Sequence, residues 1–289
     1  MKKIRYAFEA LILYSFFYFF KILPPSIASD IGGLIGKTIG PHLAASRKAL
    51  RNIVLSLPET TQKEQKHIVK GMWENLGRVM AEYPHLEKIA SDHTQIVNIH
   101  LIDDAFGKNP EQPSIFIGAH LANWEIYGAA SLIKAGRPLD LTYRAPNNPW
   151  TGALLNKARS LNGKIKTYAK SRESGRTILQ AMRQNASLGI LIDQKYNRGI
   201  ETLFFGRPAM TNPIFVQLCQ KFKCPLIPAR IERLKGCDFK LTIFPALTLF
   251  DAQGKSLPVE DVIAQAHDLL ESWIRDRPEQ WLWLHRRWK

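Results

Sequence analysis

After Pro113 the chain alternates short apolar runs with stretches of helical period, which restricts it to an α/β fold with a mostly parallel sheet flanked by helices. The candidate strands are Ser114 to Gly118, Leu139 to Tyr143, Lys164 to Ala169, Leu188 to Ile192, Leu226 to Ile231 and Phe239 to Leu249. Helical patterns lie between them, at Trp124 to Ala135, Trp150 to Leu161, Gly175 to Asn185, Asn212 to Phe222 and Val259 to Ile274. The final strand pair is expected to run antiparallel, with Lys235-Gly236 as its turn.

The amino-terminal third is helical throughout. Thr60-Thr-Gln-Lys-Glu supplies a cap before Ile68, Val69, Met72, Trp73, Leu76 and Val79, which recur with helical period. Upstream, Ile27 to Leu57 carries Gly32, Gly36 and Gly40 on one face, a spacing that lets two helices approach closely. The partner helix belongs either to the same chain or to a second copy. The expected organisation is a hydrophobic membrane-anchoring helix over 1–25, a helical segment over 26–112 and an α/β catalytic core over 113–289, with 26–289 forming one compact domain.

Ala10 to Phe20 is uncharged, bracketed by Glu9 and Lys21 and closed by Pro24-Pro25. Such a helix rises about 16 Å, roughly half of a hydrocarbon core, so it is expected to dip into one leaflet. A cleaved signal peptide, cut near Ser26-Ile-Ala28, and a buried core helix are the competing readings. The 289 residues include 40 Lys+Arg against 25 Asp+Glu, a net charge of +15 that calls for an acidic partner. Anionic lipid and an acidic carrier protein fit this requirement. Nucleic acid fits less well, because the amino terminus is apolar and no stacking or helix-turn-helix pattern is present. Cys219, Cys224 and Cys237 are odd in number and lack paired C-x-x-C knuckles, so reduced structural cysteines are expected, without a disulfide framework or a metal site.

The chemistry-bearing segment is His120-Leu-Ala-Asn-Trp-Glu125, directly after the run Ser114-Ile-Phe-Ile-Gly. His120 thus falls at the carboxyl end of a strand, where open α/β sheets form their crevices. Glu125 falls in the first turn of the next helix, within reach of the imidazole. An acid there fixes the tautomer and leaves the other ring nitrogen free to take a proton from a hydroxyl. The bland alternative is a structural His beside a helix-capping Glu. No Gly-x-Ser-x-Gly elbow occurs and no Cys lies in this block, so the acceptor hydroxyl is expected to attack directly. Attack of a hydroxyl on a carbonyl builds an oxyanion, whose donors are sought in the amides from Asn123 to Glu125 or in a guanidinium, and Arg144 is the candidate for a cationic contact with substrate. Arg144 alternatively pairs with Glu125 or Asp193. Asp193 itself ends a buried strand, where it orients Arg144 or substrate, or caps a turn. The carboxyl-terminal Trp281, Trp283 and Trp288 lie among Arg286, Arg287 and Lys289, a combination suited to a membrane interface or to a core beneath a basic tail.

Five blocks in order carry a resemblance: the His120 motif, Tyr143-Arg144-Ala-Pro-Asn-Asn-Pro149, Gly189-Ile-Leu-Ile-Asp193-Gln194, Phe204-Phe-Gly-Arg-Pro-Ala-Met-Thr211, and Pro278-Glu-Gln-Trp-Leu-Trp-Leu-His-Arg-Arg-Trp288. Together they resemble the lipid A secondary acyltransferases, the lauroyl- and myristoyl-transferring enzymes within the HxxxxE/D glycerolipid acyltransferase superfamily. The resemblance implies an enzyme at the cytoplasmic face of a bacterial inner membrane, peripheral or monotopic. The donor would be an acyl carrier protein thioester, the acceptor a Kdo-bearing lipid A precursor, with no cofactor or metal. It implies His120 as general base and Glu125 as its orienting partner, with Arg144, Asp193 and Gln194 near the reacting centre. Asn123, Arg230, Arg286 and Arg287 complete the expected substrate, oxyanion or phosphate contacts.

Glu rather than Asp at the fifth position after His120, and the absence of a Phe-Pro-Glu-Gly-Thr block, point away from a glycerol phosphate acceptor. A mannoside-type glycolipid acceptor and a non-catalytic membrane lipid-binding protein are the alternative readings. The chain departs from the family pattern in being somewhat short and in placing Asn212-Pro213-Ile-Phe after Thr211, which predicts a differing acyl pocket.

Overall fold

In a computed structural model, which describes residues 2–169, 174–285 and 287–288, the helical first third is built from α1 (Lys2–Lys21), α2 (Pro25–Ile39), α3 (Ala45–Ser56), α4 (Gln62–Glu82) and α5 (Leu86–Asp92). Strand β1 (Thr94–Val97) and α6 (His100–Phe106) lead into the alternating part: β2 (Ser114–Gly118), α7 (Ile126–Lys134), β3 (Asp140–Tyr143), α8 (Pro149–Arg159), β4 (Thr167–Ala169), α9 (Ser174–Arg183) and β5 (Ser187–Leu191). A hairpin of β6 (Ile200–Phe204) and β7 (Arg207–Thr211) precedes α10 (Ile214–Phe222), β8 (Leu226–Lys235), β9 (Asp238–Ile243) and α11 (Val259–Asp276).

Among the described residues, seven strands form one sheet in the order β1-β9-β8-β2-β5-β3-β4, parallel except where β9 returns antiparallel along β8. The turn between those two strands holds Gly236 at φ 53°, as the Lys235-Gly236 reading predicts. Strand β9 ends at Ile243, short of the expected Leu249, and β4 is shorter than the expected Lys164 to Ala169. The edge strand β1 and the β6–β7 hairpin lie outside the sequence-based expectations.

The apolar character of β2 follows from its position between β5 and β8, with both faces covered. Its alternation places Ile115 and Ile117 in one core with Trp281, Trp283 and the α11 residues Ile263 and Leu270. Phe116 joins the opposite core with Ile126, Leu139 and Ile227.

Thr61 caps α4 with a full capping box to Glu64. The small-residue face of α2 packs on α4 of the same chain. A Cβ on Gly36 would lie 2.1 Å from the Trp73 carbonyl oxygen, and one on Gly77 would lie 2.1 Å from that of Gly32. Both obstacles are backbone, so Gly36→Ala is expected to force the helices apart and cost about 1 to 3 kcal/mol, read as a lower midpoint in denaturant unfolding.

Helix α1 buries Ala10 and Phe20 and leaves Ile4, Phe8 and Leu11 at 76%, 64% and 64% exposure. No helix among the described residues is long and apolar enough to cross a membrane. Helix α1 is instead laid along the protein: Asn148 Nδ2 donates to the Tyr6 carbonyl at 2.8 Å, and His85 Nε2 lies 2.9 Å from the Phe20 carbonyl.

Candidate active site

Register brings the chemistry together. Gly118 of β2 pairs with Leu191 of β5, so the residues two places further along each chain, His120 and Asp193, emerge side by side at the carboxyl ends of neighbouring parallel strands. His120 Nδ1 lies 2.7 Å from Asp193 Oδ1, and the His120 backbone N–H donates to Asp193 Oδ2 at 2.9 Å. Trp281 Nε1–H donates to that same Oδ2 at 2.8 Å. Burial alone pushes the Asp193 carboxyl up, but the adjacent His120, through its ring and its backbone N–H, outweighs it and holds the group well below the usual carboxylate range. Asp193 is therefore an anion that accepts from His120 Nδ1–H, the arrangement in which a neutral ring carries its lone pair on Nε2. The amide nitrogen of Gln194 sits 3.2 Å from Nε2.

The carboxylate that holds His120 is thus Asp193 and not the expected Glu125. Glu125 is the N-cap residue of α7, which begins at Ile126, and its side chain turns to other partners. Arg159 grips it with Nε to Oε2 at 2.6 Å and Nη2 to Oε1 at 2.7 Å, while Tyr83 donates to Oε1 at 2.5 Å and Trp124 Nε1 at 3.1 Å. Burial pushes the Glu125 carboxyl up, yet the Arg159 guanidinium keeps it below its ordinary value. Arg159 is raised in turn, because its contact with Glu125 exceeds the cost of its own burial. The guanidinium also lies 4.8 Å from the Tyr143 ring centre.

Asn123, expected to meet substrate, is fully buried and spent on the scaffold. Its Nδ2 donates to Glu82 Oε2 at 2.8 Å, and its Oδ1 accepts the Glu125 N–H at 3.2 Å. Glu82 is also paired with Arg233, whose Nε donates to Asn75 Oδ1 at 3.0 Å, and Asn75 Nδ2 donates to the Ala122 carbonyl at 2.9 Å. This network fastens the underside of the His120 turn, where Ala122 adopts φ 46°, a left-handed conformation unusual for a residue with a Cβ. The top is fastened by the carboxyl-terminal segment: Leu282 N–H donates to the His120 carbonyl at 3.1 Å, and Ala122 N–H to that of Gln280 at 3.0 Å.

Of the other expected contacts, Arg144 is exposed at the rim of the cavity beside His120 and makes no ion pair among the described residues, neither with Glu125 nor with Asp193. Arg230 is tied to Asp276 at 2.5 Å and Glu232 at 3.2 Å, outside the lining of that cavity. Arg287 is drawn into the core, where it donates to the Met210 carbonyl at 2.8 Å and Thr211 Oγ1 at 2.7 Å and where burial lowers it to about 10. Arg286 lies outside the described residues. Trp281, Trp283 and Trp288 are all buried, so their rings fill the core and do not face a membrane.

The cavity has a volume of ≈ 180 Å³ and lies between the sheet and α7. His120, Gln194, Arg144 and the Glu125–Arg159 pair form its polar lining, and Phe116, Leu139 and Leu141 are among its apolar walls. Its apolar walls suit a hydrocarbon chain.

His285 stacks edge-to-face on His120 with ring centres 4.8 Å apart. Its Nε2 is buried without a partner among the described residues, and burial lowers its pKa to about 4. The donor atoms of His120, Asp193 and His285 lie within 4.8 Å of one another, the spacing from which a metal ion can be held. Cys219, Cys224 and Cys237 are free and buried, apart from this centre.

The residues that the motif reading missed, Tyr83, Arg159, Trp281 and His285, come from three distant parts of the chain. Trp281 and His285 lie in the last of the five blocks, a signal that their position matters but not why.

At 22% identity over 279 residues, covering 92% of this chain and 86% of the relative, the chain is similar to a lipid A biosynthesis palmitoleoyltransferase of Escherichia coli (strain K12). A lipid A biosynthesis acyltransferase of Shigella flexneri matches with the same identity and coverage. The model of the bacterial lipid A biosynthesis acyltransferase family matches residues 1–289, so this chain belongs to that family and is an acyltransferase of lipid A biosynthesis.

Proposed function

We propose that the protein transfers a fatty acyl chain from an acyl carrier protein thioester to a hydroxyl of a Kdo-bearing lipid A precursor, with His120 as general base. The observation that carries this is the His120 imidazole, held through Nδ1 by the Asp193 anion, in the lining of a cavity with apolar walls. Nε2 removes the proton of the acceptor hydroxyl as its oxygen bonds to the thioester carbonyl carbon. The tetrahedral intermediate then expels the thiolate as the C–S bond breaks, and the proton returns from His120 to sulfur. Gln194 currently donates to Nε2, so the incoming hydroxyl displaces it, leaving its amide N–H available to the developing oxyanion together with Arg144. Glu125 acts as a positioning residue: it holds Arg159 and Tyr143 as one wall of the cavity mouth.

The test is incubation of detergent-solubilised protein with acyl carrier thioesters of several lengths and the lipid A precursor, followed by mass spectrometry of the lipid. The expected result is a mass gain of one acyl group, abolished in His120→Ala. Product from the Ala variant at wild-type rate would remove His120 from the mechanism.

The exposed apolar face of α1 supports attachment to the cytoplasmic leaflet of the inner membrane, with the helix lying in the interface. Phe8 and Leu11 are its outward anchors. Replacing both by Glu is expected to cut partitioning onto vesicles containing anionic lipid by at least about 10², since each buried side chain of this size contributes about 1.5 to 3 kcal/mol. Sedimentation with vesicles measures this, and an unchanged bound fraction would exclude α1 as the anchor.

A further inference from the structure

A second cavity of ≈ 220 Å³ adjoins the first across the end of β5, and Arg144, Ile190, Leu191 and Gln194 line both. Its apolar side is formed by Ile192, Ile214 and Phe215, and its rim carries Lys195. We infer that this cleft is the subsite for the anionic lipid acceptor, which lays one hydrocarbon chain over the exposed Ile214, above the buried Ile192 and Phe215, and its charged headgroup against Lys195 and Arg144. The inference rests on the acyl-transfer reading of the His120 site.

Three observations support this occupant. The reaction joins two molecules that each carry a hydrocarbon tail, and the cavity beneath His120 serves one of them. The two cavities meet at Gln194, whose amide occupies the position at His120 Nε2 that the acceptor hydroxyl must take. An acceptor in the second cleft therefore reaches the base from the side opposite the donor chain.

Secondly, Arg144 and Lys195 make no ion pair among the described residues, and cations left free on the rim of an apolar cleft complement an anionic headgroup. Thirdly, Arg144 opens the loop to Asn148 and Trp150, and these grip α1: Asn148 Nδ2 donates to the Tyr6 carbonyl at 2.8 Å and Tyr14 donates to the Trp150 carbonyl at 3.5 Å. The rim of the cleft is thereby tied to the helix with the exposed apolar face. A lipid leaving the bilayer along α1 meets Arg144 first, whereas a thioester on a soluble carrier needs no such route.

The departure Asn212-Pro213-Ile-Phe acquires a place in this scheme. Asn212, Ile214 and Phe215 line the second cleft and not the first, so the unusual residues bear on the acceptor rather than on acyl length.

The test uses the full chain, a Kdo-bearing lipid A precursor in mixed micelles and lauroyl acyl carrier protein. Ile214 is 38% exposed, so Ile214→Trp fills the cleft from its mouth without disturbing the core. Ile214→Trp, by filling the cleft, and Lys195→Glu, by losing one hydrogen bond to a charged group, are each expected to raise KM for the precursor about tenfold or more, with KM for the thioester unchanged. A rise confined to the thioester KM would overturn the inference and assign the cleft to the donor's arm, and no change in either would leave it without a substrate role. A photoreactive benzophenone side chain at position 214 gives a readout independent of turnover. A covalent adduct with the precursor supports the subsite even if the wild type forms no acylated product, in which case only the reaction assigned to His120 fails. An adduct with the acyl carrier thioester, or none, counts against it.

Discussion

Asp193→Asn is expected to lower kcat by about 10³ to 10⁴ while leaving KM for both substrates close to wild type. Asp193 touches no part of the cavity wall; it acts through the imidazole. The anion accepts three hydrogens, from His120 Nδ1, the His120 backbone and Trp281. An Asn in that place has one oxygen to offer and presents an NH₂ to the others. With the amide nitrogen against Nδ1, the ring must carry its proton on Nε2, which removes the lone pair that takes the acceptor's proton. The tautomer itself is readable as the Nδ1 and Nε2 nitrogen shifts of labelled His120, and a kcat within tenfold of wild type would show that another group orients the base.

A pH dependence accompanies the substitution. The folded-state pKa of Asp193 is depressed, so its contribution to stability is fully present above the unfolded value, about 4, and is lost as pH falls from there through the folded value. The Asn variant lacks that component. Its thermal midpoint should therefore fall less than that of the wild type between pH 5 and pH 3, as followed by circular dichroism.

How far the sequence leads toward this centre depends on which physical signal each residue leaves. Ser114 to Gly118 is recognisable because both faces are apolar, and Lys235-Gly236 because a positive φ needs a residue without a Cβ. Strand β1 escapes because it is short and pairs only with β9 at the sheet edge, so neither length nor alternation marks it. His120 is legible from its place at a strand end, but its partner is not. The choice between Glu125, five residues away, and Asp193, 73 residues away, turns on the adjacency of β2 and β5, and periodicity says nothing about strand order. Arg287 illustrates the opposite error. Next to Trp288 at a basic terminus it reads as a headgroup contact, yet neutral His267 donates Nδ1–H to the Leu203 carbonyl and so offers Nε2 to the guanidinium at 3.1 Å inside the core. Only the packed hairpin β6–β7 reveals that acceptor set.

Arg159→Met separates the two roles open to Glu125. The substitution keeps an unbranched apolar stem and removes the charge, leaving the Glu125 carboxylate buried beside Tyr83 and Trp124 without a counter-ion. An uncompensated charge of this kind is expected to cost about 3 to 5 kcal/mol in denaturant unfolding, and burial then drives Glu125 toward its protonated form. Glu125→Gln in the same chain removes the stranded charge, so the double variant should recover most of the lost stability, a coupling that a double-mutant cycle quantifies. Activity follows the same logic. If Glu125 oriented His120 directly, Glu125→Gln alone would mimic Asp193→Asn, and removing Arg159 as well would restore nothing. If the pair instead shapes the cavity mouth, the loss in Glu125→Gln is modest, appears chiefly in KM for the acyl donor, and changes little when Arg159 is also replaced. The geometry favours the second outcome, because Asp193 already occupies Nδ1 and Glu125 has both oxygens committed to Arg159.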